Sequence, residues 1–562
     1  MRAEPRESSE PTRRSPRWCL PSVFLAAILG LWLLADTATR ISATYDEVTY
    51  LQVASRWWRT GEQEGITRMG SPLTFWKLQQ VPVLWALDRL GRSDLIDAPI
   101  ARRRELLPLV RIGGLWLWLV GLGVVAWWSR TLHGPRAMAL AAWMYALSPN
   151  VLAHASLSTM ESPLLALSAL AFALFWWFRT TGAAWAFWGS AILNGLAFSC
   201  KFTAVLLPPL LGLAWWVDLV WSGEARALSA AWRVGRGMAA FVMVTLLADF
   251  VVTAGALLPL SHSQGGGHPS LDGRFGPRVG ALVTRLVETP IPQDWVGFAT
   301  QMRHQRSGGS SYLLGERREH GWWYYYLVAM AVKVPPAFWL TVVGAVWWTA
   351  RSGGARFRVM IPVVVLAFLA VTALGSSRNY GLRYLLPLAP LAIVGVSGLA
   401  ERGRKALAVG VVGLAGQAWA TATIHPHELT YFHVFAGGPI GGRRVLADSN
   451  LDWGQGLIDL ARLQAERPEF RDLTLYYFGE TDPRHYGVEG THHVIDAGSA
   501  HPGLPPEPTA ASRYVGVSAS LQWGPWGPEG YFRDLNTIEP VAMTADTTIA
   551  IYRARDLGAA SP

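Results

Sequence analysis

Two carboxylates stand side by side in TYDEVTY, residues 44–50, directly after a long apolar run. Ionised acids beside a bilayer are costly to hold, so each needs a structural or a chemical reason. Thr44 followed three residues later by Glu47 spells a capping box, in which both side chains satisfy backbone N–H groups at a helix start. That accounts for Glu47. One acid completes the box, which leaves Asp46 as the candidate general base, with Glu47 beside it kept among the candidate catalytic residues. A third acid, Glu161 in HASLSTMESPL, opens another apolar run. There it also complements the positive end of a helix dipole.

Cations fall at the same boundary. Lys201 interrupts FSCKFTAV between two apolar runs, and Arg378 and Arg383 occupy the short link SSRNYGLRYLLP. Arg111 lies near the outer end of the second apolar segment. Positive charge in short outer loops runs against the orientation rule of membrane proteins, and a negatively charged ligand explains the set. Arginine offers forked donors to phosphate oxygens and lysine a point charge. Acids with phosphate-binding cations at a membrane boundary point to a lipid phosphate. Transfer of a sugar from a polyprenyl phosphate would need a base for the incoming hydroxyl and electrostatic support for the leaving phosphate. The second carboxylate would position the acceptor or help hold a divalent cation, since hard cations prefer oxygen ligands. Asp46 and Glu161 are the acids open to that role, and metal use is left undecided.

The elements that position these residues are mostly membrane spans. The chain has 562 residues, only 16% of them charged, where a soluble chain carries about 25%. Its mean hydropathy is +0.23. Apolar stretches recur at the length that crosses a hydrocarbon core and predict about eleven transmembrane helices. They fall near 19–36, 107–128, 137–153, 160–178, 183–199, 202–220, 238–259, 324–349, 358–374, 384–400 and 405–422. Arginines cluster in alternate loops, at Arg130 and Arg136, Arg179, Arg226 with Arg233 and Arg236, Arg351 with Arg356 and Arg358, and Arg402 with Arg404. Those loops and the tail 1–18 are expected in the cytoplasm. The first run resembles a secretory signal, but it lacks a small-residue cleavage site and reads as an uncleaved helix. The net charge of +10 is absorbed by this loop pattern, and no basic stripe interleaved with aromatics marks a nucleic-acid surface. Cys19 and Cys200 give neither a disulfide framework nor metal-ligand spacing.

The expected architecture is a polytopic α-helical module over 19–424 with a small extracytoplasmic α/β domain over 425–562. Two large outer loops, 37–106 and 260–323, interrupt the module. The first should contain a helix over 46–60 with Val48, Leu51, Ala54 and Trp58 on one face, suited to the membrane interface. The second begins with the irregular SHSQGGGHP. In the tail, LTLYYFG, RYVGVSAS and TTIAIYRA read as strands and DWGQGLIDLARLQAE as a helix, while HPGLPPEPTA reads as a surface loop. The plasma (inner) membrane is the expected location.

The sequence resembles the lipid-carrier-dependent glycosyltransferases of the GT-C fold, in particular the protein O-mannosyltransferase and aminoarabinose transferase group. The resemblance spans roughly 40–455. It rests on ATYDEVTYLQVA, LSPNVLAHASLSTMESPL, LNGLAFSCKFTAVLLP, YLLGERREHGWWYYYLVAMAVKVPP, GLRYLLPLAPL, HPHELTYFHVFAGGPIGG and DSNLDWGQGL, in that order. It implies an aspartate base in the first outer loop, matched by Asp46, and a second acid at the start of the fourth span. That acid is often aspartate, where this chain has Glu161. It implies a donor-binding lysine after the fifth span, matched by Lys201, and another before a proline in the eighth, matched by Lys333. It also implies an inverting displacement on a polyprenyl-phosphate sugar, with a protein, lipid or polysaccharide acceptor.

Three signals are set aside. DSNLDWGQGLID begins like a calcium loop at Asp448, Asn450 and Asp452, but has Trp453 where the loop needs glycine. Asp452 with Gln455 reads as a helix cap, and HPHE, from His425 to Glu428, as a turn. Asp249, inside an apolar run, is an intramembrane acid without an assigned role, and is the one feature that favours the alternative of a secondary transporter.

Overall fold

The computed structural model describes residues 16–62, 71–259, 287–351, 360–497 and 512–556, with residue 285. The SHSQGGGHP and HPGLPPEPTA stretches, Arg356 and Arg358 lie outside these residues.

Helix α1, Cys19–Arg40, is the first apolar run. An extended link leads to α2, Tyr45–Thr60, where the Thr44–Glu47 capping box forms and Gly61, at φ 76°, closes the C-terminus. The expected apolar stripe of α2 is present, but the protein itself covers it: Val48 packs with Leu457 and Leu473 of the tail and Ala54 with Trp76 and Met160. Leu51 and Trp58 pack with Leu84 and Leu87 of α3, Thr74–Arg89, and with Leu106 and Val110 of α4, Arg103–Gly113. An amphipathic stripe specifies that a face is buried, not what buries it.

The bundle continues with α5, Leu115–Leu132, then α6, Pro135–Ala146, and α7, Pro149–Ala155. The expected third span is divided between α6 and α7. Proline disfavours helical backbone in the residue before it, and Ser148 is extended at ψ 112°. Next come α8, Glu161–Thr181, α9, Ala184–Phe198, α10, Leu207–Trp221, and α11, Ala227–Val252. Helix α11 starts about three turns earlier than expected and takes Arg233 and Arg236 into its first half. A short β1–β2 pair, Leu257–Pro259 with Pro290–Pro292, leads into α12, Gln293–Ser307, and the hairpin β3–β4 spans Ser311–Leu313 and Glu316–Arg318. The expected eighth span is broken at Val334–Pro335 into α13, Tyr325–Lys333, and α14, Pro336–Arg351, which meet at 107°. Helices α15, Met360–Gly375, α16, Leu388–Ser397, and α17, Arg404–Ile424, complete the bundle.

Among the described residues six helices are long and apolar enough to cross a membrane, seven if the bent pair counts as one, and three shorter apolar helices accompany them. All the expected spans except the third are represented in that set. The protein is a multi-pass helical membrane protein.

The tail adds helix α18, Leu457–Glu466, and a five-stranded sheet. The sheet order is β6 (Thr491–Ile495), β5 (Leu473–Phe478), β7 (Tyr514–Ser518), β9 (Ile549–Arg553), β8 (Ala542–Met543). β5 runs parallel to β6 and β7, and β9 is antiparallel to β7 and β8. The three anticipated strands are present. β6 was not foreseen, because its THHVI is too polar to announce itself, and neither was the two-residue β8. Leu457 and Leu460 of α18 pack on β5 through Leu473 and Leu475.

Where the tail leaves α17, His425 joins three elements. One of its ring nitrogens lies 2.6 Å from Glu428 Oε1 and the other 3.0 Å from Asp36 Oδ2 of α1. Burial works against the imidazolium, but Glu428 and Asp36 outweigh it and raise the imidazole pKa above its ordinary value. A raised folded-state pKa gives stability that is complete below the unfolded value of about 6.5 and is lost as pH rises through the folded value. The thermal stability of wild type over His425→Gln is therefore expected to be larger at pH 5.5 than at pH 8.5. A gap that is flat or widens with pH contradicts the arrangement.

Candidate active site

The capping geometry of α2 sends its two acids in opposite directions. Glu47 turns inward, accepting hydrogen bonds from Thr44 N at 3.0 Å, Thr44 Oγ1 at 2.9 Å and Ser158 N at 2.7 Å. Its main partner is Arg111, with Nη2 at 2.6 Å from Oε2 and Nε at 2.9 Å from Oε1, and both side chains are fully buried. Burial alone would raise the Glu47 carboxyl, but the charge and hydrogen bonds of Arg111 hold it below the usual range. Arg111 also donates from Nη1 to Ala38 O and Ile41 O and from Nη2 to Ser42 O. A guanidinium has five N–H groups, and all are engaged. This corrects the expectation that Arg111 meets the donor phosphate. It fixes the end of α1 and the link into α2, with Glu47 as its counter-ion rather than as a reacting group.

Asp46 faces the other way. Its side chain is 23% exposed, against 0% for Glu47 and 1% for Glu161, so of these three acids only Asp46 reaches solvent. Arg383 Nη1 donates to Asp46 Oδ2 at 2.9 Å and lies 3.6 Å from Glu161 Oε1. Lys201 Nζ donates to the same Glu161 oxygen at 2.7 Å. The result is a chain of alternating charge, Asp46–Arg383–Glu161–Lys201, assembled from α2, the turn before α16, the start of α8 and the turn after α9. Arg383 Nε donates to Tyr380 O, while its Nη2 makes no hydrogen bond among the described residues. Lys201 likewise has N–H groups beyond the one given to Glu161, and sits 4.5 Å from the centre of the Tyr384 ring.

The remaining cations stand apart. Lys333, at the end of α13, donates to Leu429 O at 2.8 Å and Asn450 O at 2.5 Å and lies over Phe432. It pins the tail to the broken helix pair. Arg378 Nε donates to Gly308 O at 2.6 Å, tying the turn before α16 to the end of α12. Neither pairs with Asp46 or Glu161 among the described residues. Of the two acids left open as metal ligands, Asp46 is engaged by Arg383 and Glu161 by Lys201. Among the described residues no group of three or more His, Cys, Asp or Glu is arranged to hold a metal ion.

Several neighbours were not anticipated as site residues. Arg383 stacks 4.3 Å from the centre of the Trp453 ring, and Tyr50 OH lies 3.4 Å from Asp46 Oδ2. His154 of α7 is 6% exposed, presents an edge to Trp453, and has no hydrogen-bond partner at Nδ1 among the described residues. Trp453 O accepts from Tyr45 N at 2.7 Å, and Asn450 Oδ1 accepts from Leu382 N at 2.9 Å. The tail thus holds both Asp46 and Arg383 from above. DSNLDWGQG reads in the sequence only as a motif, because the site residues it meets here, Tyr45, Leu382 and Arg383, lie 68 or more residues away. Asp452 is not the expected cap of α18, which starts at Leu457. It accepts from Ser520 N and Gly454 N, and burial pushes its carboxyl up to about 7. Asp249 of α11 lies against Asp294 at the start of α12.

A bundle of this organisation, with its charge cluster at one helix boundary beneath a small α/β domain, is the GT-C fold. The crystal structure of ArnT from Cupriavidus metallidurans bound to undecaprenyl phosphate aligns with a TM-score of 0.51 at 13% identity, covering 97% of this chain and 99% of that chain. Its apo form gives 0.49 at the same identity and coverage. The apo oligosaccharyltransferase of Archaeoglobus fulgidus gives 0.42 at 13% identity, over 88% of this chain and 62% of that one. No family model and no curated protein matches the sequence significantly.

Proposed function

We propose that this protein is a membrane glycosyltransferase that moves a sugar from a polyprenyl-phosphate, or similar lipid-phosphate, donor to an acceptor hydroxyl on the extracytoplasmic face. The observation that carries the reading is the Asp46–Arg383–Glu161–Lys201 chain, in which the water-facing end is a carboxylate and the two cations keep unused N–H groups. The undecaprenyl phosphate bound to ArnT supports the donor class.

In this mechanism Arg383 and Lys201 bind the donor phosphate. A phosphate at Arg383 competes with Asp46 for the guanidinium and so frees the Asp46 carboxylate to meet the acceptor hydroxyl. Asp46 takes the acceptor proton as the acceptor oxygen bonds to the anomeric carbon. The bond from that carbon to the phosphate oxygen breaks on the opposite face, and configuration inverts. The leaving phosphate carries the charge, and the two cations stabilise it in a site with little water. Glu161 keeps Lys201 and Arg383 in place between turnovers.

Undecaprenyl phosphate titrated onto the purified protein and followed by native mass spectrometry tests donor recognition. Lys201→Ala and Arg383→Ala are each expected to weaken binding roughly ten- to a hundredfold, the worth of a charge-assisted hydrogen bond. Unchanged affinity removes the residue from the site. Mass spectrometry of glycans and lipid-linked sugars in cells lacking the protein would then name donor and acceptor.

A further inference from the structure

At the end of the bundle opposite the charge cluster, α8, α9, α10 and α11 enclose an open groove of about 420 Å³. Phe178 lies seventeen residues along α8 from Glu161, so at 1.5 Å per residue the groove is about 25 Å from the cluster. Its wall is aromatic, formed by Phe178, Phe187, Trp188 and Trp215, and its other side is α11, with Arg233, Arg236 and Gly237. Phe187 and Trp215 are buried and interlocked with Phe178 at ring separations of 4.9 and 5.6 Å, so the wall is preformed. Trp188 is 40% exposed. Gly237 is required for this shape: a Cβ there would lie 2.6 Å from the Trp215 ring.

The two arginines are the informative part. Arg179, beside the groove, is neutralised by Asp218 at 2.6 Å. Arg233 and Arg236, one helical turn apart and both exposed, have no ion-pair partner among the described residues. An apolar channel between membrane helices that ends in two uncompensated guanidinium groups matches a molecule with a long apolar chain and an anionic head. Basic pockets between transmembrane helices bind such head groups, and arginine forks onto phosphate oxygens.

We infer that this groove is a binding site for an anionic diacyl phospholipid, its phosphate on Arg233 and Arg236 and one acyl chain along Trp188 and Phe187. The inference requires the membrane fold alone and is independent of the sugar-transfer chemistry.

Native mass spectrometry of the full chain with phosphatidylglycerol or phosphatidylethanolamine of identical acyl chains tests it. Wild type is expected to retain one phosphatidylglycerol with roughly tenfold or greater preference. The double variant Arg233→Gln/Arg236→Gln should lose that preference, and the charge-conserving Arg233→Lys/Arg236→Lys should retain most of it. Gly237→Leu, which fills the groove, should weaken both lipids. Thermal unfolding of each variant in detergent confirms that it is folded. Equal binding of the two lipids by wild type, or undiminished preference in the folded glutamine variant, overturns the assignment.

Discussion

Asp46→Asn is expected to abolish sugar transfer while leaving the donor bound. General-base catalysis is worth about 10²–10⁴ in rate, and asparagine cannot take a proton at that oxygen. The same change removes the negative charge that holds Arg383 at 2.9 Å, so the guanidinium becomes more available to phosphate. Affinity for undecaprenyl phosphate should therefore stay level or tighten as turnover falls. This split separates a base from a residue that merely shapes the pocket, whose loss would weaken both. Arg383 keeps Glu161 at 3.6 Å as a counter-charge, so the variant should remain folded, which thermal unfolding checks. Near-normal turnover by Asp46→Asn would refute the base assignment, and loss of donor binding would place Asp46 in recognition.

Arg111→Met should have the largest effect on stability. Removing one partner of a fully buried ion pair costs about 3–5 kcal/mol, because the other charge remains without compensation. Here the variant also strands Ala38 O, Ile41 O and Ser42 O. The pH dependence has a defined sign. In wild type the Glu47 carboxyl is held below its unfolded value of about 4.3, so the pair contributes in full above that pH and is lost as pH falls through the folded value. In the variant the same burial favours the protonated acid. The stability deficit of Arg111→Met should therefore narrow as pH drops toward 4. Denaturant unfolding across pH 4–8 measures this, and a deficit below about 1 kcal/mol at pH 7 would show that the pair does not hold the link between α1 and α2.

These two variants act on adjacent acids with opposite consequences, and the reason was half legible in TYDEVTY. A capping box is a local pattern, with all of its atoms inside four residues, so Thr44 and Glu47 could be read without any knowledge of the fold. Helix α2 and three strands of the tail were legible on the same ground, since hydropathy period and glycine act over a few residues. The division of the third span at Ser148–Pro149 and the break of the eighth at Val334–Pro335 each carried a proline signal, but an apolar count over about twenty residues outweighed it.

What the sequence determined by itself was the membrane class, most of the helices, the cap at Glu47 and the presence of acids and cations near one boundary. Which cation serves which acid was decided by the tertiary structure alone. Arg111 and Arg383 are the same residue type, yet one has every N–H engaged by Glu47 and backbone carbonyls and the other bridges Asp46 and Glu161 with Nη2 unused among the described residues. A guanidinium's availability depends on the oxygens within 3 Å of it, and those oxygens come from chain segments tens to hundreds of residues away. The placement of Trp453 against Arg383 has the same origin. Local propensity fixes elements, whereas the partners of a charge are fixed by how the elements pack.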